Sequence, residues 1–160
     1  MNKFEIRKAV PDDVQVILQL INELAVFEKL EHEVVATQEL LQRNLFGESH
    51  VAHALIGELD GKPVGMALYF YNFSTFLARP GIYLEDLIIR SEFRSRGFGE
   101  AMIRHLVKIA SEEKCGRVEW AVLNWNARAI KFYQSLGAEL KEEWTTCRID
   151  EEGMRNLLGN

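Results

Sequence analysis

The feature that most constrains the fold of this chain is a strand-like run that leads through a glycine-rich turn into a helical pattern, over residues 82–99. The run carries two adjacent carboxylates, Glu85 and Asp86, and its turn reads Arg94-Ser95-Arg96-Gly97-Phe98-Gly99. Glycines at the start of a helix let backbone N–H groups approach a phosphate, because no side chain blocks them and the helix start carries partial positive charge. The turn therefore predicts a site for an anionic group such as a pyrophosphate.

The order of the predicted elements indicates an α/β chain. Strand-forming residues cover 4–7, 51–59, 64–71, 82–90, 118–123 and 140–149, and helical patterns follow Pro11 and cover 38–46, 101–113 and 127–136. Asp60-Gly61 predicts a tight hairpin, and the later strands are joined through helices. This order predicts a mixed, mostly antiparallel sheet of six to seven strands with helices on both faces. Residues 72–81 are interpreted as an aromatic loop that either lines a pocket or packs over the core.

Composition limits the class of protein. The 160 residues suit one domain, residues 1–160, and a formal net charge of -5 argues against a nucleic-acid binder, which needs a basic face. No apolar run approaches the roughly 18 residues of a membrane span. Cys115 and Cys147 lack CxxC spacing, and the four histidines show no ligand motif. We expect a cytoplasmic protein without a metal, a membrane partner or a nucleic-acid partner.

The glycine turn and its neighbours resemble a known family. The pattern Arg94-x-x-Gly97-x-Gly99 is similar to the acetyl-CoA pyrophosphate motif of the GNAT N-acetyltransferase superfamily. Further segments resemble the diamine (spermidine/spermine) and thialysine N-acetyltransferase branch: Glu23-Leu24-Ala25, Phe27-Glu28, Tyr83-Leu84-Glu85-Asp86-Leu87, Trp125-Asn126 and Phe132-Tyr133-x-x-x-Gly137-Ala138. The element order also resembles the GNAT fold over most of the chain.

The resemblance implies acetyl-CoA as the cosubstrate, and a sheet whose fourth and fifth strands splay apart to admit its pantetheine arm. It also implies a homodimer. The residues that it assigns to the cofactor are Leu87, Ile88 and Ile89 in the fourth strand, Arg94, Ser95, Arg96, Gly97, Phe98, Gly99 and Glu100 in the turn, and Asn126, Ala127, Arg128, Ala129 and Tyr133 in the last helix. An ordinary strand–helix turn is the alternative for the two glycines, and the arginines beside them argue against it.

Acetylation of an amine requires a group that takes a proton. A primary amine with a pKa of about 10.4 is protonated at pH 7, and forming its neutral state costs roughly 4.6 kcal/mol. Glu85 is the candidate, because a carboxylate inside an apolar strand is costly to bury without a partner. Strand alternation predicts that Glu85 and Asp86 face opposite sides of the sheet, and the resemblance selects Glu85. The alternative for both is a carboxylate held by a structural arginine or by backbone amides.

A second requirement is a proton for the departing thiolate of coenzyme A. Tyr133 matches the general-acid tyrosine that the resemblance implies. A phenol with a pKa of about 10 is a weaker acid than a thiol with a pKa of about 8.5, so a hydrogen bond to the developing charge is the less demanding role. A core tyrosine packed with Ile130 and Phe132 is the alternative.

The resemblance also places a set of side chains near the amine: Phe27, Glu28, Glu85, Glu119, Trp120 and Glu143. Phe27 stands where we expect a tyrosine in polyamine acetylators, so a short diamine or a lysine analogue such as thialysine joins spermidine as a candidate. A solvated surface is the alternative for the scattered glutamates. We therefore expect an N-acetyltransferase that acts on a primary amine of a small polycation. The alternatives are acetylation of protein lysines or N-termini, and a module that binds acetyl-CoA without turnover.

Overall fold

The computed structural model describes residues 3–159, which form five strands and five α-helices. The strands are β1 (Phe4–Lys8), β2 (His53–Leu59), β3 (Lys62–Ser74), β4 (Arg79–Ile89) and β5 (Val118–Trp120). The helices are α1 (Val14–Glu28), α2 (Gln38–Phe46), α3 (Phe98–Glu112), α4 (Ala127–Ser135) and α5 (Glu151–Leu158). Short 3-10 turns precede α1 and α3, and a third follows α1.

The strands form one mixed sheet in the order β1-β2-β3-β4-β5. The first four strands pair antiparallel, and β5 runs parallel to β4. The predicted mixed, mostly antiparallel sheet is therefore confirmed, but the predicted six to seven strands are wrong, because the described residues form five. The strand expected at residues 140–149 does not form, and the side chains of that segment are all exposed. A strand needs a neighbour for its backbone hydrogen bonds, and residues 140–149 pair with no strand among residues 3–159.

The pairing between β4 and β5 is short. It joins Ile82–Leu84 to Val118–Trp120 and ends there, whereas β4 continues to Ile89. The predicted fifth strand, residues 118–123, thus ends three residues early. Within the described chain, residues 85–89 have no strand partner on the β5 side, and we call this unpaired edge the seam.

Two apolar clusters cover the two faces of the sheet. One cluster packs α3 against one face through Met102 and Leu106, which contact strand residues such as Leu55. The other packs α1 and α2 against the opposite face, with Ile17 and Ile56 both fully buried. Burying such a side chain completely stabilises the fold by about 1.5–3 kcal/mol. The two clusters therefore fix β4, which lies between them, as a rigid support for the site.

Helix and turn boundaries follow local signals in the sequence. The Thr37 hydroxyl accepts a hydrogen bond from the Leu40 N–H at 3.2 Å, so it caps α2, whose bounds match the predicted helix over 38–46. Asp60 and Gly61 both adopt positive φ values, 51° and 77°, in the turn between β2 and β3. This is the backbone that a two-residue hairpin requires, and it confirms the predicted hairpin.

The segment predicted as an aromatic loop, residues 72–81, is mostly strand. β3 extends to Ser74 and β4 begins at Arg79, so only residues 75–78 turn. Cross-strand pairs, including Phe73 with Pro80, continue the hairpin to its tip. The aromatic and polar residues thus follow the antiparallel pairing.

The chain divides into two compact units. The first unit ends at Ala121 and contains the whole sheet with α1, α2 and α3. The second unit begins at Val122 and contains α4 and α5, in which no residue is fully buried. Helix α5 was not predicted from the sequence. Its N-cap is Asp150, whose Oδ1 accepts a hydrogen bond from the Gly153 N–H at 2.8 Å.

Candidate functional site: a glycine turn beside a bulged acidic strand

The glycine turn forms the N-terminus of α3. Gly97 is the N-cap with a φ of 80°, and Ser95 also has a positive φ of 62°. A Cβ atom built on Gly97 would meet nothing within 4 Å, so the turn opens onto free space. The first N–H groups of an α-helix have no acceptor within the helix, and they carry partial positive charge. The turn thus has the geometry that fits a phosphate group.

Two arginines stand beside the turn. Arg94 donates its Nε–H to the carbonyl of Ile89 at 2.8 Å, at the end of β4, and its guanidinium lies 4.6 Å from the ring centre of Phe27. Arg96 lies over the ring of Phe93 at 5.4 Å. Both cations are therefore held near the helix start, where they add to its positive potential.

The other predicted cofactor residues of the first unit support this turn. Phe98 stacks its ring on that of Phe4, with centroids 4.2 Å apart, so its side chain belongs to the core. Glu100 forms an ion pair with Arg104 at 2.7 Å. In β4, the side chains of Leu87, Ile88 and Ile89 pack in the two apolar clusters. What these three residues present to the seam is therefore their backbone.

A β-bulge in β4 lies at the two adjacent carboxylates. Leu84 and Asp86 pair with consecutive residues of β3, so Glu85 is an extra residue and the register shifts. On either side of the bulge, Leu84 and Leu87 both pack in the α3 cluster. Glu85 and Asp86, between them, therefore both lie toward the α1 face, and the prediction of opposite faces is wrong. Bulges re-aim side chains in this way and are frequent beside active sites.

Three carboxylates share this region of the α1 face. Asp86 is half-buried, and burial raises its pKa to about 6, with smaller upward contributions from the charges of Glu85 and Glu28. Burial also raises the pKa of Glu28, at the end of α1. Glu85 itself is exposed. An ammonium group placed here would offset the repulsion among the carboxylates, so the region favours a cationic ligand.

Glu119 occupies β5, directly opposite Tyr83 of β4. Its Oε1 accepts hydrogen bonds from Arg117 Nε at 2.8 Å and from Asn72 Nδ2 at 3.2 Å. Burial raises the pKa of Tyr83, and the negative charges of Glu85 and Glu119 raise it further. Both carboxylates thus act electrostatically on one phenol. The neighbouring Trp120 packs against the α3 cluster.

The remaining predicted cofactor residues lie in α4 of the second unit. Asn126 caps this helix, because its Oδ1 accepts a hydrogen bond from the Ala129 N–H at 3.1 Å. Ala127 and Arg128 are exposed in the first turn. Tyr133 is half-buried, with its ring centre 5.4 Å from that of the preceding residue. The predicted start of α4 is confirmed.

Glu143, predicted near the amine, also lies in the second unit. It is exposed and its Oε1 lies 3.6 Å from Lys141 Nζ. In this position it is one partner of a solvated ion pair, which contributes little to stability.

Sequence reasoning missed three residues of the acidic region. Asp86 was set aside for Glu85, although it is the more buried carboxylate of the two. Asn72 and Arg117 were not considered, and both hydrogen-bond to Glu119. The only signal in the sequence was the adjacent pair of acids in an apolar strand, since the bulge depends on pairing with β3.

Residues 3–159 present neither a membrane-spanning helix nor a metal-binding cluster. These residues contain no helix that is both long and apolar enough to cross a membrane. They also bring together no group of three or more histidine, cysteine, aspartate or glutamate side chains suited to hold a metal ion.

Comparison with known proteins identifies the family. The model of the acetyltransferase (GNAT) family matches residues 17–138. Thialysine N-epsilon-acetyltransferase of Bos taurus is 38% identical over 96% of both chains, and its Mus musculus counterpart is 35% identical over 99% of both. L-ornithine N5-acetyltransferase NATA1 of Arabidopsis thaliana is 31% identical over 95% of this chain and 86% of its own.

Solved structures show the same fold. An integron cassette protein from the mobile metagenome of V. cholerae matches with a TM-score of 0.82 at 25% identity, over 98% of each chain. An aminoglycoside acetyltransferase from an uncultured soil sample matches with a TM-score of 0.77 at 17% identity, over 92% of this chain and 95% of that one. Such low identity supports the fold alone. The resemblance drawn from the glycine turn is confirmed, and the chain belongs to the GNAT acetyltransferase family and is an N-acetyltransferase.

Proposed function

We propose that this enzyme transfers an acetyl group from acetyl-CoA directly to a primary amine of a small polycation, which is either a diamine or polyamine or a basic amino acid of the thialysine or ornithine type. The observation that carries the proposal is the 35–38% identity to thialysine acetyltransferases over nearly the whole chain. The acidic region on β4 supports it, because carboxylates attract a polycation before one of its amines reacts.

The cosubstrate residues of the proposal are those of the glycine turn, the seam and α4. The N-terminus of α3, with Gly97 open to space and Arg94 and Arg96 beside it, suits a pyrophosphate. The backbone of residues 87–89 suits the pantetheine arm, since the seam leaves β4 without a strand partner there. Asn126 to Ala129 complete the set by family resemblance. Acetyl-CoA supplies the activated acetyl group as a thioester.

The amine must lose a proton before it attacks. We assign this step to Glu85, directly or through water, because it is exposed and lies at the bulge beside the seam. Asp86, with a pKa of about 6, is mostly ionised at pH 7 and adds a second negative charge. Glu85 is the accessible member of the two adjacent carboxylates, so it is the one that an amine can approach.

The transfer then balances without an acyl-enzyme. The amine nitrogen forms a bond to the acetyl carbon, the carbon–sulfur bond breaks, and the thiolate leaves. In the proposal, Tyr133 donates a hydrogen bond or a proton to that sulfur. Backbone N–H groups near Leu87 and Ile88 polarise the carbonyl oxygen.

The proposed amine site combines Glu28, Glu119 and the bulge carboxylates with the ring of Phe27. Trp120, whose ring packs against the α3 cluster, is included from family resemblance alone. Phe27 also lies against Arg94, so the end of α1 touches both the amine region and the glycine turn. Glu143 is included from family resemblance.

We also propose that residues 1–160 act as one catalytic domain, since the family match from 17 to 138 spans both compact units. A homodimer in the cytoplasm completes the proposal. Both cysteines are free, which is typical of a reducing compartment.

A panel of amines tests this function. Thialysine, ornithine, lysine, short diamines, spermidine and a lysine-rich peptide are incubated with acetyl-CoA, and free thiol release and product mass are measured. We expect one class of small amine to be acetylated at a primary amine. Acetylation of the peptide alone would favour a protein acetyltransferase. If no amine in the panel caused release of free thiol, the proposal would be wrong.

A further inference from the structure

Beside the bulge, Arg117 and Glu119 form an ion pair that has unused hydrogen-bonding capacity. Oε1 of Glu119 accepts from Arg117 Nε and from Asn72 Nδ2. Within residues 3–159, Oε2 of Glu119 and the Nη groups of Arg117 make no further hydrogen bond. The side chains of Arg117 and Glu119 are 45% and 38% exposed, so a ligand can reach both.

Asn72 helps to hold the Arg117–Glu119 pair, although its own position is energetically unfavourable. Asn72 Oδ1 is buried and has no partner among the described residues. It lies over Gly81, where a Cβ atom would come within 2.5 Å of it, so only glycine at position 81 leaves it room. A buried acceptor without a partner costs free energy. The fold tolerates this unfavourable environment of Asn72 Oδ1, and Nδ2 of the same amide donates a hydrogen bond to Glu119.

The pair lies at a useful distance from the bulge. Glu119 is opposite Tyr83, and Glu85 follows two residues further along β4. With a rise of about 3.3 Å per residue and about 4.8 Å between strands, the backbones at Glu119 and Glu85 are about 8 Å apart. From covalent bond lengths, an extended lysine-like side chain spans about 6 Å between its α-carbon and its terminal nitrogen. One such molecule can therefore reach both places.

We propose that Arg117 and Glu119, with Asn72 as a positioning residue, bind the α-carboxylate and α-ammonium groups of a basic amino acid whose side-chain amine is acetylated. This inference rests on the proposed function and narrows its substrate class. A guanidinium presents paired N–H donors that match a carboxylate, and the adjacent Glu119 oxygen matches an ammonium.

A diamine fits this pair less well. Its far end offers only an ammonium group, which Glu119 attracts but the neighbouring Arg117 repels. The side-by-side cation and anion therefore distinguish an amino acid from the diamine that has lost its carboxylate.

Two substrates that differ by that carboxylate test the inference. Thialysine and bis(2-aminoethyl) sulfide share the same chain and the same reacting amine. We expect the wild-type enzyme to prefer thialysine in kcat/KM. We expect Arg117→Gln to lower kcat/KM for thialysine by about 10- to 100-fold, mainly through KM, and to leave the sulfide diamine unchanged or improved.

Further variants separate binding from folding. Arg117→Lys keeps the charge but loses the paired donors, so it should restore part of the preference. Asn72→Ala should raise KM for thialysine with little change in kcat. Lys108→Gln removes the cation of an exposed ion pair on α3, and it should leave kcat/KM for both substrates unchanged.

The outcomes distinguish this inference from the function on which it rests. If the wild type acetylates both compounds equally, or if Arg117→Gln lowers both rates alike, the amino-acid site is wrong while the acetyltransferase function stands. If the wild type acetylates neither compound, nor any other small amine, both proposals fail.

Discussion

We have proposed that Tyr133 donates a proton or a hydrogen bond to the leaving thiolate, and removal of its hydroxyl tests this role directly. We expect Tyr133→Phe to lower kcat by about 100- to 10,000-fold, because that range is typical of a lost general acid. Acetyl-CoA affinity, measured by calorimetry, should stay the same. Tyr71→Phe is the control: it removes the equivalent hydroxyl from a tyrosine of β3 and should leave kcat unaltered. A fall of less than about threefold in the Tyr133 variant would make Tyr133 a packing residue.

The raised pKa of Asp86 predicts that the free energy of unfolding depends on pH. Its pKa is raised to about 6 in the fold, against about 3.9 in an unfolded chain. The folded state is therefore favoured by this group at low pH, and that advantage is lost as the pH rises through 6. Asp86→Asn removes the ionisation, so it should raise the free energy of unfolding at pH 8 by up to about 3 kcal/mol and change it little at pH 4.

Urea unfolding at both pH values measures this effect. A stability difference that is the same at pH 4 and pH 8 would show that Asp86 ionises in the fold as easily as in water. The activity of the variant, measured in parallel, reports whether the second carboxylate of the bulge contributes to proton removal.

The N-terminus of α3 is the element to which we assign binding of the cosubstrate's pyrophosphate. We expect Gly97→Glu to weaken acetyl-CoA binding by at least about 100-fold, because a carboxylate in the turn blocks and repels a pyrophosphate. Gly61→Glu is a matched control, since both glycines have φ near 80° and open space at Cβ. Calorimetry with acetyl-CoA gives both affinities. Equal affinities for the two variants would place the pyrophosphate elsewhere.

The elements that the sequence predicts well are those with local signals. Thr37 and Asn126 cap helices through their own side chains, and Asp60-Gly61 forms a turn through its own backbone preferences. The strand expected at residues 140–149 fails because a strand also needs a partner. Strand-forming residues alone cannot reveal whether that partner exists.

The candidate site divides in the same way. The glycine turn was predictable, because Arg94, Gly97 and the start of α3 are consecutive in the chain. The orientation of Glu85 and Asp86 was not, because the bulge arises from the register between β3 and β4. Glu119 was predicted, but its contact with Asn72 joins residues from two separate strands.

At the scale of the whole molecule, the second unit exposes large apolar side chains. Trp144, Leu157 and Leu158 are 77%, 76% and 73% exposed. Exposed apolar side chains of this size are enriched at interfaces, and they support the proposed homodimer. We expect sedimentation at micromolar concentration to give the mass of a dimer, and Leu157→Glu to shift it toward a monomer. Gln134→Glu, on the polar surface of α4, should not. A wild-type monomer would contradict the proposal.

The seam beside β4 has an evolutionary consequence. Every residue has a peptide group. If the cosubstrate binds through the main chain of residues 87–89, most point mutations there leave its binding unchanged. The proposed amine selection, in contrast, relies on side chains such as Arg117 and Glu119, which a single codon change can replace. An enzyme built in this way can acquire a new acceptor while its donor recognition persists, and this suits a scaffold that recurs in proteins only 17% identical to it.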